Sequence, residues 1–243
     1  RLCYNFKGGI LIRLKFFGFT LAEVLVTLGV IGVVAAMTIP SLFTRIEEKV
    51  LINKLLEVNS QLVEASKLMV NEYGLVNTYS DDEVERRDLF FEYLSRHLKL
   101  SECTWKSCMS QPYVAAYNNP RVWRFYNDSF YLPNGALIFY TATFNEPCNV
   151  SKDSSRGIGS CGFFFVDVNG RQKPNTFGID TFKFQVYPDG IVAAGGPKYN
   201  YWANAFYECL RGGADYRQSA CCTGWVIKNK NMDYRRCQDL SWT

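Results

Sequence analysis

Phe19 to Phe43 reads FTLAEVLVTLGVIGVVAAMTIPSLF, and from Val24 through Thr44 there is no charged side chain. As a helix this stretch would be roughly 37 Å long, enough for a tilted crossing of a bilayer core. A soluble amphipathic helix would carry a polar residue at every turn, and this one does not. Arg1, Lys7, Arg13 and Lys15 precede it, and residues 1–18 contain no acid. A basic flank stays cytoplasmic, so the body of the chain is expected on the outer side of the membrane. An ordinary secretory signal closes its apolar region on small residues at a cleavage site. Here the apolar run ends at Pro40-Ser41 and Glu23 interrupts its start. A carboxylate at the head of a membrane span is costly unless it is paired or interfacial, which makes Glu23 a candidate functional residue.

The rest of the composition fits that topology. The chain has 243 residues, room for one domain plus an N-terminal segment, or at most two small domains. Its formal net charge of +4 is carried entirely by the four basic residues before Gly18. Beyond them the body is neutral, so the basic balance is no sign of nucleic-acid binding, and a neutral surface tolerates dense packing among copies. Of nine cysteines, Cys3 lies in the basic segment. Eight follow it: Cys103, Cys108, Cys148, Cys161, Cys209, Cys221, Cys222 and Cys237. An even count points to disulfides in an oxidising compartment. Zinc is disfavoured, since Cys103 and Cys108 have no matching Cys pair and His97 is the single histidine.

Gly18-Phe19-Thr20-Leu21-Ala22-Glu23 at the head of an apolar run resembles the processing site of type IV prepilins and type II secretion pseudopilins. The resemblance implies that a prepilin peptidase cuts between Gly18 and Phe19 and methylates the new terminus at Phe19. It implies that Glu23 neutralises that amine during assembly, and that Pro40 sits where many pilins kink this helix. It implies an assembly ATPase and a platform membrane protein as partners. Elementary chemistry agrees with these roles: glycine lets an extended backbone enter a protease cleft, and a charge pair is less costly in lipid than either charge alone. One departure is that Phe16-Phe17 stand between Lys15 and Gly18, where these leaders usually carry Lys or Arg.

The helical pattern continues past Pro40. Leu51, Leu55, Val58, Leu62, Ala65 and Met69 alternate steps of four and three, with charged residues such as Glu47, Glu48 and Lys54 flanking them. Gly74 is the expected stop. The seam covers about three heptads and then breaks, which favours packing within the chain over a coiled coil. A second helix is expected from Asp81 to Leu100, capped by Ser80 or Asp81, with Leu89, Phe90, Tyr93, Leu94, His97 and Leu98 as its apolar face. From 121 to 194 the chain reads as strands. Hairpins are expected around Asn134-Gly135 and Asp189-Gly190, and a strand Cys161–Val168 closes on Asn169-Gly170.

The expected fold is therefore α+β: a long N-terminal transmembrane helical spine packed on an antiparallel β-sheet head, stapled by disulfides. The expected divisions are a leader 1–18, a membrane half of the spine 19–43, an amphipathic half 44–74 and a globular head 75–243.

Asp167-Val-Asn169-Gly170, Pro174-Asn175 and Gly178-Ile-Asp180 resemble a recurring stretch of pilin-like heads. Asp167, Asn169 and Asp180 offer oxygen ligands of the kind calcium prefers, and some pseudopilins bind calcium in the head. The competing reading is turn chemistry, in which the Asp side chains cap local amides. The stretch Cys221-Cys222-Thr-Gly-Trp225 resembles the same group. Adjacent cysteines seldom bond to each other. Proximity suggests Cys103–Cys108, Cys148–Cys161, and Cys221 and Cys222 tied separately to Cys209 and Cys237 in either order.

The resemblance implies a structural subunit of a type IV pilus or type II secretion pseudopilus, sited in the inner membrane with its N-terminus cytoplasmic and its head outside. The alternative is a minor or tip pilin whose large head acts as an adhesin or substrate-binding module. An enzyme is not expected: there is no Gly-x-Ser-x-Gly, His-Glu-x-x-His or phosphate loop. No resident cofactor is expected beyond the calcium reading.

Overall fold

The computed structural model describes residues 20–108, 113–114, 122–123, 129–139, 144, 148, 159–170, 172–195, 222–237 and 240. The chain divides into two compact units, Arg1–Arg45 and Ile46–Thr243. Helix α1 runs from Leu21 to Tyr73 and includes Pro40 in its interior.

In the first unit every described residue is exposed except Ala35, which is half-buried. Leu21 is 78% exposed and Met37 76%, so these side chains have no protein around them in the single chain. The polar residues turn inward on the backbone instead. Thr27, Thr38 and Thr44 donate their hydroxyls to the carbonyls of Val24, Val34 and Pro40. Hydroxyls satisfied in this way expose little polarity to an apolar medium.

In the second unit α1 acquires a buried face: Glu48, Ile52, Leu55, Val58, Leu62, Ala65, Ser66 and Met69. The helical spacing holds, but its entry differs from expectation. Ile52 rather than Leu51 is buried there, and Glu48 lies on the seam rather than beside it. The helix stops where expected: Gly74 adopts φ 89°, a left-handed conformation suited to glycine, and donates its N–H to the Val70 carbonyl at 2.9 Å. A 3-10 turn, Val76–Thr78, leads to α2, Glu83–His97. Its cap is Asp82, whose carboxylate accepts from the N–H groups of Val84 and Glu85 at 3.0 and 2.8 Å. Cap and helix thus lie one or two residues inside the expected start, and α2 ends before Leu98. Phe90, Phe91 and Leu94 form its buried face.

The strands are β1 (Ser101–Cys103), β2 (Tyr113–Val114), β3 (Val122–Trp123), β4 (Ser129–Tyr131), β5 (Leu137–Phe139), β6 (Gly162–Asp167), β7 (Thr181–Tyr187) and β8 (Gly190–Ala193). A short helix α3, Trp105–Cys108, follows β1, and α4, Thr223–Asn229, follows the strands. One six-stranded sheet has the order β1-β4-β5-β6-β7-β8, and β2 pairs with β3 separately. Each pairing between these described strands is antiparallel. The β4–β5 turn is the expected Pro133-Asn134-Gly135: Gly135 has φ 85° and donates to the Leu132 carbonyl at 2.9 Å. The β7–β8 turn is the expected Asp189-Gly190. A methyl on Gly190 would approach Ser66 Oγ to 2.9 Å, so glycine also lets α1 lie close to the strand. Ser66 Oγ there accepts the N–H of Ile191 at 3.2 Å.

The sheet is buried on both faces. Phe164, Val166, Phe182, Phe184 and Val186 pack with Leu55, Val58 and Leu62 of α1 and with Phe90 of α2. Phe163, Phe165, Leu137 and Phe139 form a second cluster on the opposite face with Tyr113 and Phe177. The run Phe163-Phe164-Phe165 serves both faces because successive side chains of a strand alternate.

Disulfides join Cys103 to Cys108 and Cys148 to Cys161, as proximity suggested. Cys222 is also disulfide-bonded, to a partner outside the described residues. The expected bridge to Cys237 does not form: Cys237 is a free, exposed thiol. Cys222 is 1% exposed at the start of α4, and that helix and a 3-10 turn, Asp233–Arg235, intervene before Cys237. Nearness in sequence does not place a buried sulfur beside a surface one. Cys209 and Cys221 lie outside the described residues.

Leu62 is fully buried between helix and sheet, so Leu62→Ala should cost about 3 kcal/mol and lower the melting temperature of the head. Val33→Ala, in the exposed half of α1, should leave that melting unchanged. Thermal unfolding of the detergent-solubilised chain, followed by near-ultraviolet circular dichroism, checks both.

Candidate membrane-assembly surface

The site begins where α1 begins. Glu23 Oε2 accepts from the Thr20 backbone N–H and from its hydroxyl, both at 2.8 Å, and Thr20 Oγ1 accepts the N–H of Glu23 at 3.2 Å. This is a capping box: two orphan amides at a helix start are satisfied by reciprocal side chains. It fixes the Glu23 carboxylate at the N-terminal end of α1. Both residues are exposed. Gly18 and Phe19, the expected cleavage and methylation positions, lie outside the described residues. Pro40 sits within the helix, which continues on both sides of it.

Beyond this end, α1 is long and apolar enough to cross a membrane by length and composition, with a mean hydropathy of 2.2 over its best eighteen-residue window. Gly29 and Gly32 have open space where a Cβ would stand. From Val24 through Thr44, α1 thus offers an uncharged, unpacked apolar cylinder with one carboxylate, Glu23, just before it.

The second unit adds a feature that sequence reasoning missed. Glu48 is 7% exposed, and its carboxylate receives Arg236 on both oxygens, Nη1 donating to Oε1 at 3.4 Å and Nη2 to Oε2. Arg235 Nη1 lies 3.6 Å from the same Oε2. The Glu48 hydrogen bond, and then its charge, push the Arg236 pKa upward. A charged residue on the apolar seam was the available signal, but its partners stand 188 residues later in the chain.

The calcium candidates are brought together, in the manner of turn chemistry. Asp167 Oδ2 accepts the Tyr113 hydroxyl at 2.9 Å, and its Oδ1 accepts the Asn169 N–H at 3.2 Å. Asp180 accepts the N–H groups of Asn175 and Thr176 at 2.7 and 2.6 Å and the Thr181 hydroxyl at 3.2 Å. The Asn169 side chain donates to the Lys173 carbonyl at 3.1 Å. Among the described residues no three His, Cys, Asp or Glu side chains are grouped to hold a metal. Burial pushes Asp180 up to about 6, against the pull of the Thr176 and Asn175 amides. Burial, and then the charge of Asp180, push Asp167 well above the usual range. His97 is placed structurally, its Nε2 3.3 Å from Glu72 and its ring edge-on to Tyr73.

No family model, curated protein or solved structure matches the chain.

Asp180 titrates higher in the folded than in the unfolded chain. Its contribution to stability is present below about pH 4 and is lost as pH rises through about 6. Over that window the wild type should lose about 2 kcal/mol relative to Asp180→Asn, whose side chain does not titrate. Paired denaturant titrations at pH 4, 5, 6 and 7 measure the difference, and parallel curves would refute it.

Proposed function

We propose that this chain is a single-pass membrane protein of the type IV prepilin kind, and that it serves as a structural subunit of a type IV pilus or type II secretion pseudopilus. The observation that carries the reading is the first half of α1. Its apolar side chains are exposed, it carries no charge from Val24 through Thr44, and Glu23 stands at its start. Such a surface is stable only against lipid or against other apolar helices.

On this reading a prepilin peptidase cuts after Gly18 and Phe19 becomes the methylated terminus. The new amine is a cation at the membrane edge, and Glu23 of a neighbouring copy neutralises it, setting the axial register. An assembly ATPase and a platform membrane protein drive the subunit out of the inner membrane, with the head outside. The second unit supplies a rigid, disulfide-stapled body at the filament surface. Stoichiometry separates the major-subunit role from that of a minor or tip subunit: a major subunit dominates purified surface filaments.

Gly18→Ala should leave a full-length precursor in the membrane, and intact-mass measurement of the mature protein reads this directly. Normal maturation of that variant rules the site out. Glu23→Val should insert normally and give at least a tenfold lower filament yield in sheared-surface preparations; wild-type yield removes the pairing role.

A further inference from the structure

One carboxylate stands at the head of the charge-free run, and one of its oxygens is already engaged. Glu23 Oε2 takes both donors of Thr20, the backbone N–H and the hydroxyl, at 2.8 Å each. Among the described residues Oε1 accepts no hydrogen bond, and no Lys, Arg or His pairs with Glu23. The Thr20 hydroxyl also accepts the Glu23 N–H at 3.2 Å, so each residue holds the other. The remaining hydroxyls up to Thr44 are used differently. Thr27, Thr38, Ser41 and Thr44 each donate to a main-chain carbonyl one turn back. From Thr20 to Thr44, Thr20 alone turns its hydroxyl to a charged side chain.

The donors of Thr20 are neutral, so they solvate the carboxylate without cancelling its charge. The cost of carrying Glu23 beside lipid falls, while its demand for a cation remains. A glutamate side chain has several rotatable bonds, and freezing them at the moment of contact weakens that contact. The capping box freezes them beforehand. It also outlasts processing: a cut between Gly18 and Phe19 leaves the Thr20 amide and hydroxyl in place, so the same donors are present in the mature chain.

We infer that Thr20 is a positioning residue for assembly: it occupies Oε2 of Glu23 and thereby presents Oε1, charged and held, to the terminal amine of Phe19 on a neighbouring copy. The inference rests on the pairing proposed for Glu23, and adds which oxygen is offered and what aims it. A loose carboxylate would meet the same amine from many rotamers, whereas Thr20 makes one of them the ready state. The hydroxyl is the distinguishing part, because every residue except proline would bring the N–H to position 20.

Thr20→Val keeps the branched shape and loses the hydroxyl, and Thr20→Ser keeps the hydroxyl. Both are tested on the full chain in its membrane, with heavy-isotope-labelled and unlabelled copies mixed. A carbodiimide joins an amine to a carboxylate in contact with it as an amide, taking up the water that is lost. The label separates links between copies from links within one. The expected product is a Phe19–Glu23 link between copies. It is counted per mature chain, so that slower cleavage of a variant does not register as a loss. Link and filament yield should both fall about fivefold in Thr20→Val. Both should return to the wild-type level in Thr20→Ser, with membrane insertion the same in all three chains. Links and filaments at the wild-type level in Thr20→Val overturn the positioning role and leave the Glu23 pairing standing. A Thr20→Ser chain as poor as Thr20→Val overturns it as well. A wild type with no Phe19–Glu23 link between copies overturns the pairing and this inference with it.

Discussion

Apolar surface that water must cover is the constraint on which this molecule turns. From Leu21 to Phe43 helix α1 shows Leu, Val, Ile, Met and Phe side chains on all sides, with no protein packed on them in the single chain. Each such side chain left in water forgoes about 1.5–3 kcal/mol relative to burial. Over this many residues the total exceeds the net stability of an ordinary domain, about 5–15 kcal/mol. The first half of α1 therefore requires an apolar medium or apolar neighbours. The second half meets the same demand differently, by laying a stripe one face wide against a sheet. One helix thus satisfies two environments because its sequence changes from apolar all round to apolar on one side.

Much of this was legible in advance because the signals are local. A charge-free run of this length, a four-three seam, Gly74 at a helix end and Gly135 at a hairpin each act within a few residues. Period and turn chemistry are sequence properties. What was not legible depends on residues far apart in the chain. Leu51 and Ile52 are adjacent and equally apolar; which of them faces the sheet follows from the helix's rotation, set by the whole interface. Glu48 was read as a flanking charge because its arginine partners lie at the other end of the chain. The bridge expected at Cys237 failed for a related reason, since closeness in sequence says nothing of depth. Of the candidate site, the carboxylate at Glu23 and the apolar span that follows could be read directly. The reciprocal cap between Thr20 and Glu23 was not anticipated, although Thr followed three residues later by Glu is its usual signature.

Glu48 shows how the head is closed over its helix. A carboxylate taken out of water is costly, and one cation seldom offsets the loss. Here Arg236 engages both oxygens and Arg235 stands close by, while both guanidiniums keep partial contact with solvent. That arrangement retains much of the cations' hydration while neutralising the buried anion. It also ties the last described turn of the chain to the first buried turn of α1. Ser66 makes a second tie further along, holding the N–H of Ile191 on the edge strand β8. An edge amide engaged in this way is withdrawn from pairing with a foreign strand.

Burial of the sheet on both faces then decides where the head can be met. Phe163 and Phe165 on one side, and Phe164 and Phe184 on the other, are each covered within the chain, so neither face offers a landing surface. Among the described residues, what remains are the ends of the strand order and the outer surfaces of the helices. At the β8 end, α1 and the start of α4 occupy the margin and leave a basic helix terminus pointing outward. At the β1 end, the strand is three residues long and a cleft opens between it and α2. A head without net charge has little net repulsion between copies. On the filament reading proposed above, apolar matching along α1 is what would bring copies together, and the margins of the head left uncovered are what they would present to one another.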